Sequence, residues 1–307
     1  MTYEHIATFL SVVTYNNISA AARNLYVSQS TVSTRIRQLE EELGAPLLIR
    51  HKGIRTVELT AYGKAFIPIA NQWASLWKNT QHIKTLEDVV QLRIASIDAV
   101  NNYTFIPLFQ KHLKDHSKIK LSINTHHSNE IYSLVENRAA DIGFVFSRIT
   151  YPDIIVSPIY RELMYLICHK DSDYHDDLSC HDLDVSHEVY LNWGVDYQQW
   201  HDMHWSPELY PLITVNTGSM LQRYLTVLNR WSIAPMSVIE GAIRNNPHLT
   251  YYTLHEPPAP RICYEIKNRY PNASLSQAIE ILDEEIRDFI DHDQSICTFE
   301  EWMLQGQ

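Results

Sequence analysis

Apolar positions in the first 60 residues recur at helical spacing in short bursts. Ile6, Phe9, Leu10 and Val13 form one stripe, interrupted by Asn16 and Asn17. Ser19 is the expected cap of a short helix, Ala20–Leu25. Tyr26 and Val27 make a tight connection, and Ser28 caps a longer helix running to Leu43, closed by Gly44 and Pro46. That helix buries Val32, Ile36, Leu39 and Leu43. Leu47–Leu59 reads as a small hairpin around Lys52-Gly53. Thr60 then caps a long helix from Ala61 to about Leu86. Here Tyr62, Phe66, Ile69, Trp73, Leu76, Thr80 and Ile83 alternate four and three apart, a heptad seam that calls for a partner helix.

The period changes at Leu92. Leu92–Ile97, Ile119–Ile123, Ile142–Phe146, Leu163–Cys168, Ile213–Val215 and Ser232–Ala234 read as strands. Between and after them, helices are expected at Thr104–His116, Ser128 to about Asn137, Ser219–Asn229 and Ser274–His292, the last with a Ser274/Gln277 capping box. Strands alternating with helices predict parallel sheets, and about 200 residues is enough for two lobes. The stretch from His169 to Ser206 carries no clear period.

The 307 residues, 45% hydrophobic and 20% charged, suit a folded chain of about two domains. No run approaches the ~20 apolar residues of a membrane helix, and the N-terminus lacks a signal-peptide pattern. The net charge of −11 argues against nucleic acid until it is divided. Residues 1–64 hold seven Lys/Arg against five acids, +2, which leaves −13 on the remainder. A mildly basic head on an acidic body confines any DNA contact to the head.

The short alanine-rich helix, the turn and the longer helix have a helix-turn-helix layout. Ala20-Ala21-Ala22 permits close helix approach. The second helix carries Ser28, Gln29, Ser30, Thr31, Ser33, Thr34, Arg35 and Arg37 away from its apolar stripe. Hydroxyls and amides read base edges, and arginine pairs with guanine or phosphate. Arg50, Lys52 and Arg55 of the hairpin are placed to grip the backbone or minor groove. The dimerisation candidates are Phe66, Ile69, Trp73, Leu76 and Ile83.

Ser19-Ala20-Ala21-Ala22, Leu25, Val27-Ser28-Gln29, Val32-Ser33, Ile36, Leu39-Glu40, Leu43-Gly44, Pro46-Leu47-Leu48, Arg50, Leu59-Thr60 and Gly63 closely resemble the LysR-type transcriptional regulators. Ser30 stands where that family usually has proline, and Arg230-Trp231-Ser232 where it usually has a Gly-x-Gly turn. Beyond residue 90 the match is looser: Leu92-Arg93-Ile94, Pro107, Glu130–Val135 and Asp141-Ile142-Gly143. The resemblance implies a multidomain chain: an N-terminal all-α winged helix-turn-helix (1–60), a linker helix for dimerisation (61–90), and a C-terminal two-lobed α/β effector domain like periplasmic binding proteins (91–300). Lobe I would hold 91–162 and 263–294, lobe II 163–262. It further implies a cytoplasmic regulator, homodimer to homotetramer, binding double-stranded operator DNA and a small effector, with RNA polymerase a further candidate partner.

Ligands of parallel sheets bind beyond the strand C-termini. This selects Ser96, Asn101, Asn102, Ser128, Ser147 and Thr217 as effector candidates, and helix N-termini there suit a small anion such as a carboxylate. Tyr103, Tyr132, Trp193 and Trp200 are candidates for an aromatic wall, though core packing is the stronger reading for each. The series His169, His175, His181, His187, with Cys168, Cys180 and the pair His201/His204, invites a metal reading. Its spacing matches no common ligand pattern, so neither metal nor cofactor is expected. A redox role for Cys168, Cys180 or Cys263 is the other alternative within this architecture. GxSxG, P-loop and GxGxxG motifs are all missing, so no enzyme is expected, and a solute-binding protein is the remaining remote alternative.

Overall fold

The computed structural model describes residues 1–49, 57–82 and 89–299. It divides into two compact units: Met1–Asp88 with Glu136–Ala139, and Val89–Val135 with Ala140–Gln307.

The first unit runs α1 (Tyr3–Tyr15), α2 (Ile18–Asn24), α3 (Gln29–Leu43), β1 (Leu48–Ile49), β2 (Glu58–Leu59) and α4 (Ala61–His82). α2 starts earlier than its sequence suggests. Asn17, not Ser19, is its cap, accepting from Ala20 N at 3.0 Å, because its carboxamide reaches the orphan amide first. Ser28 caps α3 through Thr31 N, and Gly44 closes it at φ +67, where glycine carries no Cβ penalty. The apolar faces meet in one core: Ile6, Phe9 and Val12; Ala21 and Ala22; Val32, Ile36 and Leu39; Leu47, Leu48, Phe66 and Ala70. Glu40 locks α3 to the first hairpin strand by accepting from Leu47 N (2.7 Å) and Leu48 N (3.0 Å). β1 and β2 pair antiparallel. Thr60 caps α4 by accepting from Gly63 N at 2.9 Å. Gly63 is required: a Cβ there would lie 2.2 Å from the Leu47 carbonyl oxygen.

The second unit runs β3 (Val90–Ser96), a π turn (Val100–Thr104), α5 (Ile106–Asp115), β4 (Ile119–Thr125), α6 (Ser128–Glu136), β5 (Ile142–Val145) and β6 (Ile154–Glu162). It continues with β7 (Met164–His169), β8 (Val189–Leu191), α7 (Val195–His204), β9 (Ile213–Val215), α8 (Gly218–Tyr224), β10 (Trp231–Pro235), α9 (Met236–Asn245) and β11 (Leu249–Tyr252). It closes with β12 (Arg261–Asn268) and α10 (Ser276–His292). Two lobes result. One sheet has the order β4-β3-β5-β12-β6; the other lobe holds β10-β7-β11 and the pair β8-β9.

The parallel expectation holds for β4-β3-β5 and for β8-β9. It fails for β12, antiparallel to both β5 and β6, and for β10-β7-β11. The polypeptide crosses between lobes twice, β6 into β7 and β11 into β12, and the returning strand arrives reversed. The helix expected over Ser219–Asn229 ends at Tyr224. The capping box at Ser274 does not form. Asn272 instead caps a 3-10 turn, Ala273–Leu275, and α10 follows without a side-chain cap. The unassigned stretch after His169 folds into two 3-10 turns, β8 and α7. Its aromatic residues Tyr197, Trp200 and Trp205 pack with Trp231 in a buried cluster. Trp231, at the departure from Gly-x-Gly, is fully buried and donates to the Asp184 carbonyl at 2.9 Å.

Candidate nucleic-acid interface and effector cleft

α3 presents a polar N-terminal turn. Ser28, Gln29 and Ser30 are exposed, as are Thr34 and Arg37, while Thr31 and Ser33 are half-buried. The Ser28 hydroxyl lies 2.7 Å from that of Ser30 and 2.8 Å from that of Thr31, a hydroxyl cluster at the positive end of the helix. Two arginines are partly committed. Arg35 donates a long 3.4 Å bond to Thr8 of α1, and Arg37 sits 3.7 Å from Glu41 on the same helix face. Both can be released at little cost, since exposed pairs contribute roughly 0–1 kcal/mol. Tyr26, expected only as part of the connection before α3, is 96% exposed at φ +55. A bulky residue in that conformation is the signal, and it shows only in the backbone. Arg50, Lys52 and Arg55 lie outside the described residues.

The heptad seam splits in two. Phe66 is buried with its ring 5.3 Å from Phe9. Trp73 and Trp77 stack on each other at 5.7 Å and on Tyr3 of α1 at 6.4 and 5.6 Å. These residues belong to the head's own core and flank. Tyr62, Ile69 and Leu76 are 64%, 54% and 55% exposed, one heptad apart on one face. Ile83 lies outside the described residues.

In the second unit a cavity of about 460 Å³ opens between the lobes. One side is Ile97, His127, Ser128, Phe146, Ser147 and Arg261; the other is Asn192, Trp193, Gly194, Val195, Gln198 and Gln199. Two of the six effector candidates, Ser128 and Ser147, line it. Ser96 does not. It is fully buried, because the strand pleat turns it inward, and its hydroxyl donates to the Ile97 carbonyl at 3.4 Å. The Asn101 amide is spent on Thr125 Oγ1 (3.0 Å), and that of Asn102 on Asp98 (2.6 Å). Thr217 caps α8 through Met220 N. None of these four is among the lining residues. Of the aromatic candidates only Trp193 lines the cavity. Tyr103, Tyr132 and Trp200 are core residues.

Arg261, at the start of β12, is the residue that sequence reading missed. Its side chain is 10% exposed, and its guanidinium lies 3.6 Å over the Phe146 ring and 4.8 Å from that of Trp193. Glu162, opposite it in the strand register, is 3.7 Å away, beyond hydrogen-bond range. Nε and Nη1 of Arg261 have no hydrogen-bond partner. Burial pulls the Arg261 pKa down and pushes Glu162 up, and each charge partly offsets the shift of the other. The helices α6 and α7 begin at Ser128 and Val195 beside this cation, and no carboxylate lines the cavity.

The His169–His187 series does not converge. Nε2 of His201 is spent on buried Glu188 at 3.0 Å, and His204 packs on Trp200 and Trp205. Cys168, Cys180 and Cys263 are buried. Burial raises the Cys168 thiol to about 12 and Cys180 to about 11, and lifts Cys263 as well, so these thiols resist the thiolate chemistry of redox sensing. Alkylation of the folded chain near pH 8 should therefore modify Cys297, the half-buried one, well ahead of the other three. Peptide mapping that finds Cys168 or Cys263 modified at the Cys297 rate would reject this.

A helix-turn-helix head with a two-lobed α/β body and a cleft between the lobes defines a ligand-responsive DNA-binding protein. Residues 3–64 match the bacterial regulatory helix-turn-helix model of the lysR family, and residues 88–287 match the LysR substrate binding domain. The chain belongs to the LysR family of DNA-binding transcriptional regulators, whose body is an effector-binding domain. It is 24% identical over 241 residues to the HTH-type transcriptional regulator HdfR of Yersinia pestis, covering 76% of this chain and 81% of that one. Its fold is similar to that of a full-length OxyR variant from Pseudomonas aeruginosa (TM-score 0.66, 17% identity, 94% and 95% of the two chains). It is equally similar to CbnR solved with its target DNA (TM-score 0.66, 20% identity, 94% and 100%). No helix among the described residues is long and apolar enough to cross a membrane.

Proposed function

We propose that α3 is the recognition helix of a cytoplasmic regulator controlled by a small anionic effector in the interlobe cleft. Ser28, Gln29, Ser30, Thr31, Ser33 and Thr34 meet base edges, Arg35 and Arg37 meet guanine or phosphate, and Arg50, Lys52 and Arg55 grip the flanking backbone. The observation that carries this reading is the exposed hydroxyl and amide turn at the N-terminus of a helix whose other face is locked into the head core. The N-terminal residues of such a helix enter the major groove, and a dimer reads two half-sites about one helical turn apart.

In the body, Arg261, Ser128 and Ser147 hold the anion, with the starts of α6 and α7 adding favourable amide dipoles. A preference for the closed lobes then shifts the population of DNA-bending states, which requires unequal effector affinity for the two. The exposed Tyr62, Ile69 and Leu76 stripe of α4 supplies the dimer seam, within a domain plan of 1–60, 61–90 and 91–300. Higher assembly to a tetramer and contact with RNA polymerase belong to the same reading.

Gln29→Ala tests the interface. Exposed Gln29 supports no core contact, so the fold should be untouched. Affinity for the chain's own upstream DNA should fall by about 1–3 kcal/mol, with relaxed preference at one base pair. Mobility shifts showing unchanged affinity and sequence preference would remove α3 from the groove.

A further inference from the structure

α5 carries His112, and His116 is the C-cap of the same helix; both rings turn toward Glu285 of α10. His112 Nδ1 is 2.5 Å from Glu285 Oε2, and His116 Nε2 is 3.1 Å from Oε1. The two imidazole rings are 5.0 Å apart. One ligand atom from each of the three residues lies within 4.8 Å of the other two. Among the described residues no other three His, Cys, Asp or Glu side chains gather in this way. None of the three lines the cleft, and neither the DNA-contact reading nor the effector reading uses them.

The setting favours a cation. The His112 side chain is fully buried, His116 is 32% exposed and Glu285 is 13% exposed. Both rings are thus oriented by packing, while His116 leaves a path for an ion and for a completing water. His112 Nε2 has no hydrogen-bond partner, so Glu285 alone orients that ring by hydrogen bonding. The nearest cation along the two helices, Lys111, is already paired with Asp288 at 3.2 Å. Two imidazoles and a carboxylate are the donor set of zinc-type ions. Calcium and magnesium demand all-oxygen shells instead. Zinc-type ligation places each donor roughly 2.0–2.2 Å from the ion, so the Glu285 carboxylate has to draw back from His112 to admit it.

We propose that His112, His116 and Glu285 form a binding site for a borderline divalent transition-metal ion of the zinc, cobalt and nickel class. With three protein donors the site keeps an open position for water. The bound ion staples α5 to α10, the two helices packed against the core of the first lobe.

The test is titration of the full, tag-free chain with cobalt(II), read by its visible d–d absorption, followed by displacement with zinc(II). The chain has 16 histidines, so variants decide the assignment. One cobalt per chain should bind with a low-coordinate spectrum, and zinc should raise the melting temperature. Both effects should be lost in His116→Gln and Glu285→Gln and kept in His204→Gln. Loss of a ligand should weaken binding by at least the roughly 10–100-fold typical of removing a mere supporting group. Part-exposed His116 tolerates glutamine, so this variant decides alone should Glu285→Gln fail to fold. A wild-type spectrum retained in His116→Gln, or no cobalt spectrum in the wild-type chain, overturns the proposal.

Discussion

Arg261→Leu should destabilise the effector unit by about 3–5 kcal/mol near pH 8, because it leaves the Glu162 carboxylate buried without its cation. Glu162 is fully buried, and Arg261 is the charge that holds down its burial-raised pKa. The pH dependence follows from proton binding. A carboxyl whose native pKa exceeds its unfolded value binds protons more readily in the native state, so stability falls as pH rises between the two values. Removing Arg261 raises the native value further. The loss should therefore be large near pH 8 and shrink toward pH 5, as urea unfolding at both ends would show. Adding Glu162→Gln should recover much of the stability. A loss independent of pH, and not relieved by Glu162→Gln, would mean that the two side chains do not interact as charges. The refolded double variant should still fail to bind small carboxylates in the cleft, which separates the proposed anion-binding role of Arg261 from its structural one.

Ile69→Lys together with Leu76→Lys should turn a dimer into a monomer. Each side chain is more than half exposed in the single chain. Full burial of such a residue contributes about 1.5–3 kcal/mol, and about half of that remains to be gained here, so four of them across a two-fold seam contribute about 3–6 kcal/mol. At roughly 1.4 kcal/mol per decade, that is about two to four decades in Kd. Neither side chain belongs to the head core, so the melting of that unit should not change. Phe66→Lys provides the contrast: it places a charge against Phe9 in that core and should unfold the head. Sedimentation velocity that returns an intact dimer for the double lysine variant would move the seam elsewhere.

The helix α3 was legible from residues alone. The positions Val32, Ile36 and Leu39, the cap at Ser28 and the stop at Gly44 all act within a few residues of one another. The same short range explains the errors. Asn17 and Ser19 are both good caps, and only the observed bond to Ala20 N decides between them. The 4-3 spacing of α4 states which residues are apolar, not what covers them. Phe66 and Trp73 are covered by α1, whereas Ile69 and Leu76 are left outward.

In the body, β3, β4 and β5 and the helices between them follow from local alternation. β6, β11 and β12 do not, since an antiparallel ladder such as Arg261 to Glu162 joins residues about a hundred positions apart. The cleft shows the division most clearly. Of the hydroxyl and amide residues expected there after each strand, Ser128 and Ser147 line it. The pleat, however, turned Ser96 into the core, a bond to Asp98 consumed the Asn102 amide, and the α8 cap consumed Thr217. Arg261 enters the cleft because β12 lies between β5 and β6, one step from Phe146. Periodicity and capping are written in neighbouring residues and determine where helices and strands lie. Which side chains converge on one site depends on strand order and pleat, which bring together residues with no local relation.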